Sequence, residues 1–253
     1  MPASPPAKNF DLKSFMEEGF LLVPGMFDAR EIKLINRVAH TDHRIEQAAT
    51  TRADSQGGKT VLAVQDHLGD DLFSTIVRQR RLVELAQSLL QEEVYHYHHK
   101  LMLKEPIVGG AWEWHQDYGY WYNYGCLSPK MLSCFIAIDP CTRDNGCLQI
   151  IPKSHHLGRL DHGKVGGQTG ADPQRVNAIL ERFPKLFVQM DPGDALFFHA
   201  NLLHRSDQNT SPKSRWSFIT CYNAKSNSPY ELLRHNAYKP LDIVAEDALL
   251  KFD

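Results

Sequence analysis

The sequence predicts a mainly β domain with flanking helices, a jelly roll fronted by helical segments, on three observations. Apolar residues recur at a helical period in the N-terminal third, the period changes to two at Val94, and the later strands are separated by turn signals. The 253 residues, 42 % of them hydrophobic, suffice for one domain over 1–253. Within it, about 10–91 forms a helical part and about 92–225 the jelly-roll core.

The elements follow in chain order. Asp28 with Glu31 three residues on has the form of a capping box, and Ile32, Ile35 and Ala39 continue at helical spacing, which predicts a helix from Asp28 to Gln47. Leu72, Ile76, Leu82, Leu85 and Leu89 predict a second helical stretch over Asp71–Gln91, with a break near Arg80. In Val94–Lys104, strict alternation puts His96, His98, Lys100, Met102 and Lys104 on one face and Tyr95, Tyr97, His99, Leu101 and Leu103 on the other. Further strands are predicted at Met131–Ile138, Cys147–Ile151, Leu186–Met190, Ala195–His199 and Trp216–Tyr222. Asn145-Gly146 reads as a hairpin signal and Asp191-Pro192-Gly193-Asp194 as a turn. Between them, 158–184 is a glycine-rich excursion with a short helix over Asp172–Arg182, expected to be a lid.

Composition narrows the partners. With 28 basic against 30 acidic side chains the formal charge is −2, which gives no global field toward nucleic acid or a membrane surface. The five cysteines lack C-x-x-C spacing and read as free thiols of a reducing compartment. The proline-rich opening lacks a signal-peptide core, and no stretch is long and apolar enough to span a bilayer, so a cytoplasmic protein is expected; a small-molecule substrate is expected from the chemistry below. Oligomeric state is not legible.

Chemistry concentrates at His115-Gln116-Asp117. On an extended segment this pattern places an imidazole and a carboxylate on one face, and His204, 89 positions later in the strand-like run Ala195–His204, supplies a second imidazole. Two histidines and a carboxylate form the facial triad of non-haem Fe(II) oxygenases, which leaves three positions open. A surface polar pair is the alternative, but Trp112, Trp114 and the run Tyr118–Tyr122 enclose the pair in aromatic side chains that can wall a pocket or simply fill a core. Ser206 and Arg215 follow His204. A guanidinium pairs bidentately with carboxylates, as the distal end of an iron-chelating dicarboxylate requires, although Arg215 could also be a surface ion pair. His199 reads as a core or supporting histidine, and His155 and His156 as loop anchors. Trp112, Trp121 and Tyr122 are substrate candidates, as an aromatic cage for a cation or a wall for an alkyl chain. In the excursion, His162 is a candidate to meet substrate, and Arg159 and Lys164 are candidates to meet an acidic one.

The ordered set His115-x-Asp117, Asn145-Gly146-Cys147-Leu148, Pro152-x-Ser154-His155, Gly193-Asp194-Ala195-Leu196-Phe197-Phe198, and His204-x-Ser206 with Arg215 resembles the phytanoyl-CoA dioxygenase (PhyH) family over about Phe10–Tyr230. These are Fe(II)- and 2-oxoglutarate-dependent oxygenases, ectoine hydroxylases among them. The resemblance implies a double-stranded β-helix, a cupin-like jelly roll, with His115, Asp117 and His204 as iron ligands. It implies that Arg215 and Ser206 hold the C5 carboxylate of 2-oxoglutarate, and that His98, Lys100 and Met102 face this cosubstrate. Phe135 stands where phytanoyl-CoA enzymes carry tryptophan near 2-oxoglutarate, and Lys100 where they carry methionine. Halogenating relatives replace the triad carboxylate, so Asp117 favours hydroxylation with O2, releasing succinate and CO2. A non-oxidative cupin-like sensor or isomerase is the alternative, needing the triad but not Arg215 with Ser206. A protein or nucleic-acid hydroxylase would call for a basic groove, which the near-neutral charge does not support.

Overall fold

Two antiparallel sheets face each other, and helices cover the back of the larger one. The computed structural model describes residues 12–54 and 57–253, apart from the side chains of His43, Arg44 and Glu46; the proline-rich opening lies outside the described residues. The order is α1 (Leu12–Glu18), β1 (Phe20–Val23), α2 (Ala29–Thr41), α3 (His43–Ala48), β2 (Thr50–Ala53), β3 (Lys59–Gln65), α4 (Leu72–Val77) and α5 (Arg80–Leu90). Then come β4 (Val94–Lys104), β5 (Trp112–His115), α6 (Asp117–Trp121), β6 (Met131–Ala137), β7 (Leu148–Ile150), β8 (His162–Val165) and β9 (Gln168–Ala171). The last are α7 (Pro173–Leu180), β10 (Leu186–Val188), β11 (Ala195–His199), β12 (His204–Ser206) and β13 (Arg215–Ala224). The large sheet runs β1-β11-β6-β13-β4-β3-β2 and the small one β10-β7-β12-β5, with β8-β9 a separate hairpin. No described helix is long and apolar enough to cross a membrane.

The two faces of the large sheet bury different things. Leu101, Leu103, Phe197, Trp216 and Phe218 point back onto Ile35, Ile76, Leu82, Leu85 and Leu89 of the helices. Met102, Phe135, Leu196, Ile219 and Cys221 point forward onto Leu148 and Ile150 of the small sheet. Period-two alternation therefore serves two cores at once, and the forward one also lines the site.

The helical segments form where the periodicity places them, but each is divided. The Asp28–Glu31 capping box is present, yet the predicted Asp28–Gln47 helix breaks at Asp42 into α2 and α3. The Asp71–Gln91 stretch breaks at Arg78–Gln79, beside the break expected near Arg80. Asn145-Gly146 does not close a two-residue hairpin: β6 and β7 lie in different sheets, and the turn carries the chain between them. Gly146 is required there by its φ of +76° and because a Cβ would stand 2.3 Å from the Asp207 carbonyl. The Asp191–Asp194 turn forms as predicted, with Gly193 at φ +95° and the Asp194 amide donating to the Asp191 carbonyl at 3.0 Å.

Candidate active site

Pairing of β5 with β12 sets His204 directly opposite His115. Cross-strand partners share a face, so both imidazoles enter the interior, with ring centroids 4.1 Å apart. The predicted run Ala195–His204 is in fact two strands: β11 ends at His199 in the large sheet, the chain turns, and β12 starts at His204 in the small one. The His-x-Asp segment is likewise only half extended. His115 ends β5, Gln116 remains extended, and Asp117 opens α6. The three side chains nevertheless converge, with ligand atoms all within 4.8 Å of one another and all three residues buried.

This trio fits a metal. The His115 Nδ1 meets the Glu113 carbonyl at 2.8 Å and the His204 Nδ1 meets the Leu202 carbonyl at 2.9 Å, which leaves each Nε2 for an ion. Burial, reinforced by His204, holds His115 well below the usual imidazole pKa; burial also lowers His204, against the opposing charge of Asp117. Neutral imidazoles are the ligating form. The Ser133 hydroxyl donates to Asp117 Oδ2 at 2.6 Å, while Oδ1 lies 3.8 Å from His115 Nε2. Gln116, itself fully buried, braces the segment: its amide donates to the Gly158 and Asn201 carbonyls, and its side-chain oxygen accepts from the Leu160 amide.

At the other end of the interior, Arg215 is 2 % exposed. Its Nη1 donates to Ser217 Oγ at 3.2 Å and its Nη2 to the Gly146 carbonyl at 3.0 Å, while Nε has no partner. Opposite it on β4 lies Lys104, fully buried, whose ammonium donates to the Asp207 carbonyl. Burial, and then the adjacent guanidinium, push Lys104 well below its ordinary pKa, and burial lowers Arg215. Among the described residues, neither cation has a carboxylate within ion-pair distance. A buried guanidinium and a buried lysine without an acidic partner among the described residues are costly to keep charged, and a dicarboxylate would supply the charge that stabilises both. Arg215 is therefore no surface ion pair. The Ser206 side chain is buried on the forward face of β12, and the Arg215 guanidinium stands 5.7 Å from the Phe135 ring centre.

A β-bulge decides what β4 presents. Tyr222 pairs with His96 but Cys221 pairs with His98, so Tyr97 is an extra residue. Adjacent Tyr97 and His98 consequently both turn forward, with rings 5.7 Å apart, and Tyr95 joins the forward core. The predicted single face from His96 to Lys104 is thus corrected: His98, Lys100 and Met102 do line the interior, whereas His96 turns back to contact His99 at 3.0 Å. Lys100 lies in the cross-strand row Lys100–Ile219–Phe135.

The aromatic candidates separate. Trp112 lies edge-on to His115 at 6.0 Å, and buried Trp121 lies against His98 at 5.8 Å. Tyr122 is 47 % exposed under the Arg159 guanidinium. Both nitrogens of His162 are engaged, with the Leu160 carbonyl and the Gln116 amide, so this ring supports the His-x-Asp segment and is not free to meet substrate. Gly119 makes room for it, since a Cβ there would stand 2.1 Å from the ring. Lys164 is exposed on the β8–β9 hairpin. Leu160 ahead of that hairpin, Ala171 at its end and Val176 and Ile179 of α7 pack with Trp114 and Leu203, so much of 158–184 is a built support. The anchoring expected of His155 and His156 is present, through the Met16 and Glu17 carbonyls.

Lys104, Gln116, Ser133 and His235 were not singled out in the sequence. The first and third had a signal, sharing strand faces with Met102 and Phe135; His235 had none, because it comes from beyond β13 and stacks on His98 at 4.8 Å.

The phytanoyl-CoA dioxygenase (PhyH) family model matches residues 15–217. An L-proline trans-4-hydroxylase of Streptomyces griseoviridis is 32 % identical over 71 % of this chain and 73 % of its own length. The ectoine dioxygenase of Bordetella bronchiseptica is 26 % identical over 86 % of this chain and 75 % of its own. Among solved structures, EctD from S. alaskensis with 2-oxoglutarate and 5-hydroxyectoine superposes with a TM-score of 0.77 at 23 % identity, covering 92 % of this chain and 86 % of that one, and so shares the fold. With the family model spanning most of the chain and the proline hydroxylase related across nearly three quarters of it, this protein belongs to the phytanoyl-CoA dioxygenase family of iron- and 2-oxoglutarate-dependent oxygenases.

Proposed function

We propose that His115, Asp117 and His204 hold Fe(II), that Arg215 with Lys104 and Ser206 holds the far carboxylate of 2-oxoglutarate, and that the chain hydroxylates a small molecule. The observation that carries this is the buried Arg215–Lys104 pair, which lacks an acidic partner among the described residues yet shares an interior with a buried His-His-Asp cluster. A non-oxidative cupin-like protein would need only the cluster. Once bound, iron and 2-oxoglutarate supply the oxidant drawn from O2, with succinate and CO2 as co-products.

The chain's own residues do the rest. Ser133 fixes one oxygen of Asp117, so the other is the one offered to the metal. Phe135 and Met102 give the cosubstrate channel dry walls, which strengthens its pairing with the cations at the far end. Trp121, His98 and His235 wall the neighbouring space for substrate. The relatives named for L-proline and ectoine support a substrate of similar size.

The test is anaerobic titration of 2-oxoglutarate into the Fe(II)-loaded protein, followed by admission of O2. A metal-to-ligand charge-transfer band and then succinate are expected. Iron binding without the band, or without succinate, would favour the non-oxidative alternative.

A further inference from the structure

Lys100 differs from the other inward cations. It is half-buried, and no described carboxylate or carbonyl meets its ammonium. It stands four residues along β4 from Lys104, roughly 13 Å of strand, so the two stand at different parts of the interior. Lys104 and Arg215 act on each other at the far end, whereas Lys100 shares the forward face of β4 with His98; its charge adds to burial in depressing His98 and, after Arg234 and against Asp66, His235, and it also reaches His115 and His204.

Those two imidazoles are themselves incomplete. His98 is 5 % exposed and His235 8 %, their rings stack at 4.8 Å with an interplanar angle of 25°, and the Nδ1 of each is buried without a hydrogen-bond partner. Native interiors rarely leave such atoms unmatched unless an ordered water or a ligand satisfies them. The stack is held between Tyr97, Trp121 and Tyr124, with centroid distances of 4.7 Å from Tyr97 to His235, 5.8 Å from Trp121 to His98 and 5.7 Å from Tyr124 to His235. A cation and two unmatched imidazole nitrogens at one aromatic-walled end form a polar cradle for an anion. The two carboxylates of 2-oxoglutarate are already assigned, one to the iron and one to Arg215 with Lys104.

We propose that the substrate is a small carboxylic or amino acid whose carboxylate is held by the Lys100 ammonium, with His98 and His235 completing the subsite. This rests on the reading of the chain as a 2-oxoglutarate-dependent hydroxylase. It changes the role expected for Lys100 from the cosubstrate to the substrate, and it makes the bulge at Tyr97 a specificity device, because only the bulge brings His98 beside Tyr97 at that wall.

The test uses the anaerobic Fe(II)–2-oxoglutarate complex of the full chain, with the charge-transfer band as the readout. The probes are the protein amino acids and simple monocarboxylic acids, each paired with its methyl ester and amide. At least one acid should shift the band of the wild type, at an affinity about 30-fold or more above its ester, the loss of one charge-assisted contact. Lys100→Met should abolish that preference and weaken the acid about 30-fold, Lys100→Arg should restore most of it, and the dissociation constant of 2-oxoglutarate should stay within about threefold in both. A panel in which only esters, amides or amines respond, or in which no acid responds, overturns the proposal. So does a Lys100→Met variant whose 2-oxoglutarate affinity falls as far as its affinity for the acid. A wild type that shows no charge-transfer band at all instead refutes the hydroxylase reading, and the two failures are thereby distinguished.

Discussion

Replacing Arg215 by methionine should separate cosubstrate binding from stability. In the ligand-free protein the guanidinium is buried and, among the described residues, meets no carboxylate and donates to Ser217 and the Gly146 carbonyl. Losing those bonds costs about 1 kcal/mol each, whereas replacing a buried charge by an apolar side chain of similar volume is often neutral or stabilising by about 1–4 kcal/mol. The terms nearly cancel, so the ligand-free melting temperature should move by only a few degrees. Binding is another matter. A guanidinium and a carboxylate about 4 Å apart at an effective dielectric of about 20 attract by about 4 kcal/mol, so the dissociation constant for 2-oxoglutarate should rise by roughly two to three orders of magnitude. The assay combines the charge-transfer titration with thermal shift. At 2-oxoglutarate about 100-fold above the wild-type dissociation constant, the wild type gains about 2.7 kcal/mol, while a variant binding 100-fold more weakly gains about 0.4 kcal/mol. Wild-type affinity in the variant would refute the role given to Arg215. A collapse of ligand-free stability would show that the guanidinium is a structural tie.

Four further outcomes are expected. Alanine at His115, Asp117 or His204 should each abolish iron retention and turnover, whereas His199→Ala should keep metal, its Nδ1 being engaged with the Asn201 amide; full metal content in His204→Ala would defeat the assignment. Gly119→Ala drives a Cβ into the His162 ring and should weaken iron binding, while adding Gly119→Ala to His162→Ala should weaken it no further than His162→Ala alone; independent effects would mean the contact is relieved elsewhere. Burial lowers His99 to about 4, so its stability contribution is complete above the unfolded value near 6.5 and is lost as pH falls toward 4. This one group should cost about 2 kcal/mol between pH 8 and pH 5, and urea melts that are flat over that range would contradict its burial. Hydrogen exchange without ligand should show Gln168–Ala171 and Pro173–Leu180 protected and only the exposed hairpin tip at 163–167 fast; uniform fast exchange over 158–184 would restore the whole segment as a lid.

Much of this protein was legible because its chemistry uses local patterns. The capping box at Asp28, the alternation through β4, the turn at Asp191–Asp194 and the His115-x-Asp117 spacing each depend on residues a few positions apart, where helical and strand periods act directly. Tertiary structure decided what periods cannot carry. One extra residue at Tyr97 reversed the face of His96 and placed Tyr97 beside His98, since a bulge shifts a period-two pattern by one without altering its composition. The facing of Lys104 and Arg215, of His115 and His204, and of His98 and His235 comes from strand registers and from the return of the chain beyond β13. Those are contacts between residues distant in sequence, fixed by how the sheets close around a shared interior, whereas the side chains proposed for iron and, Lys104 apart, for the far carboxylate of 2-oxoglutarate could be named from their types and order.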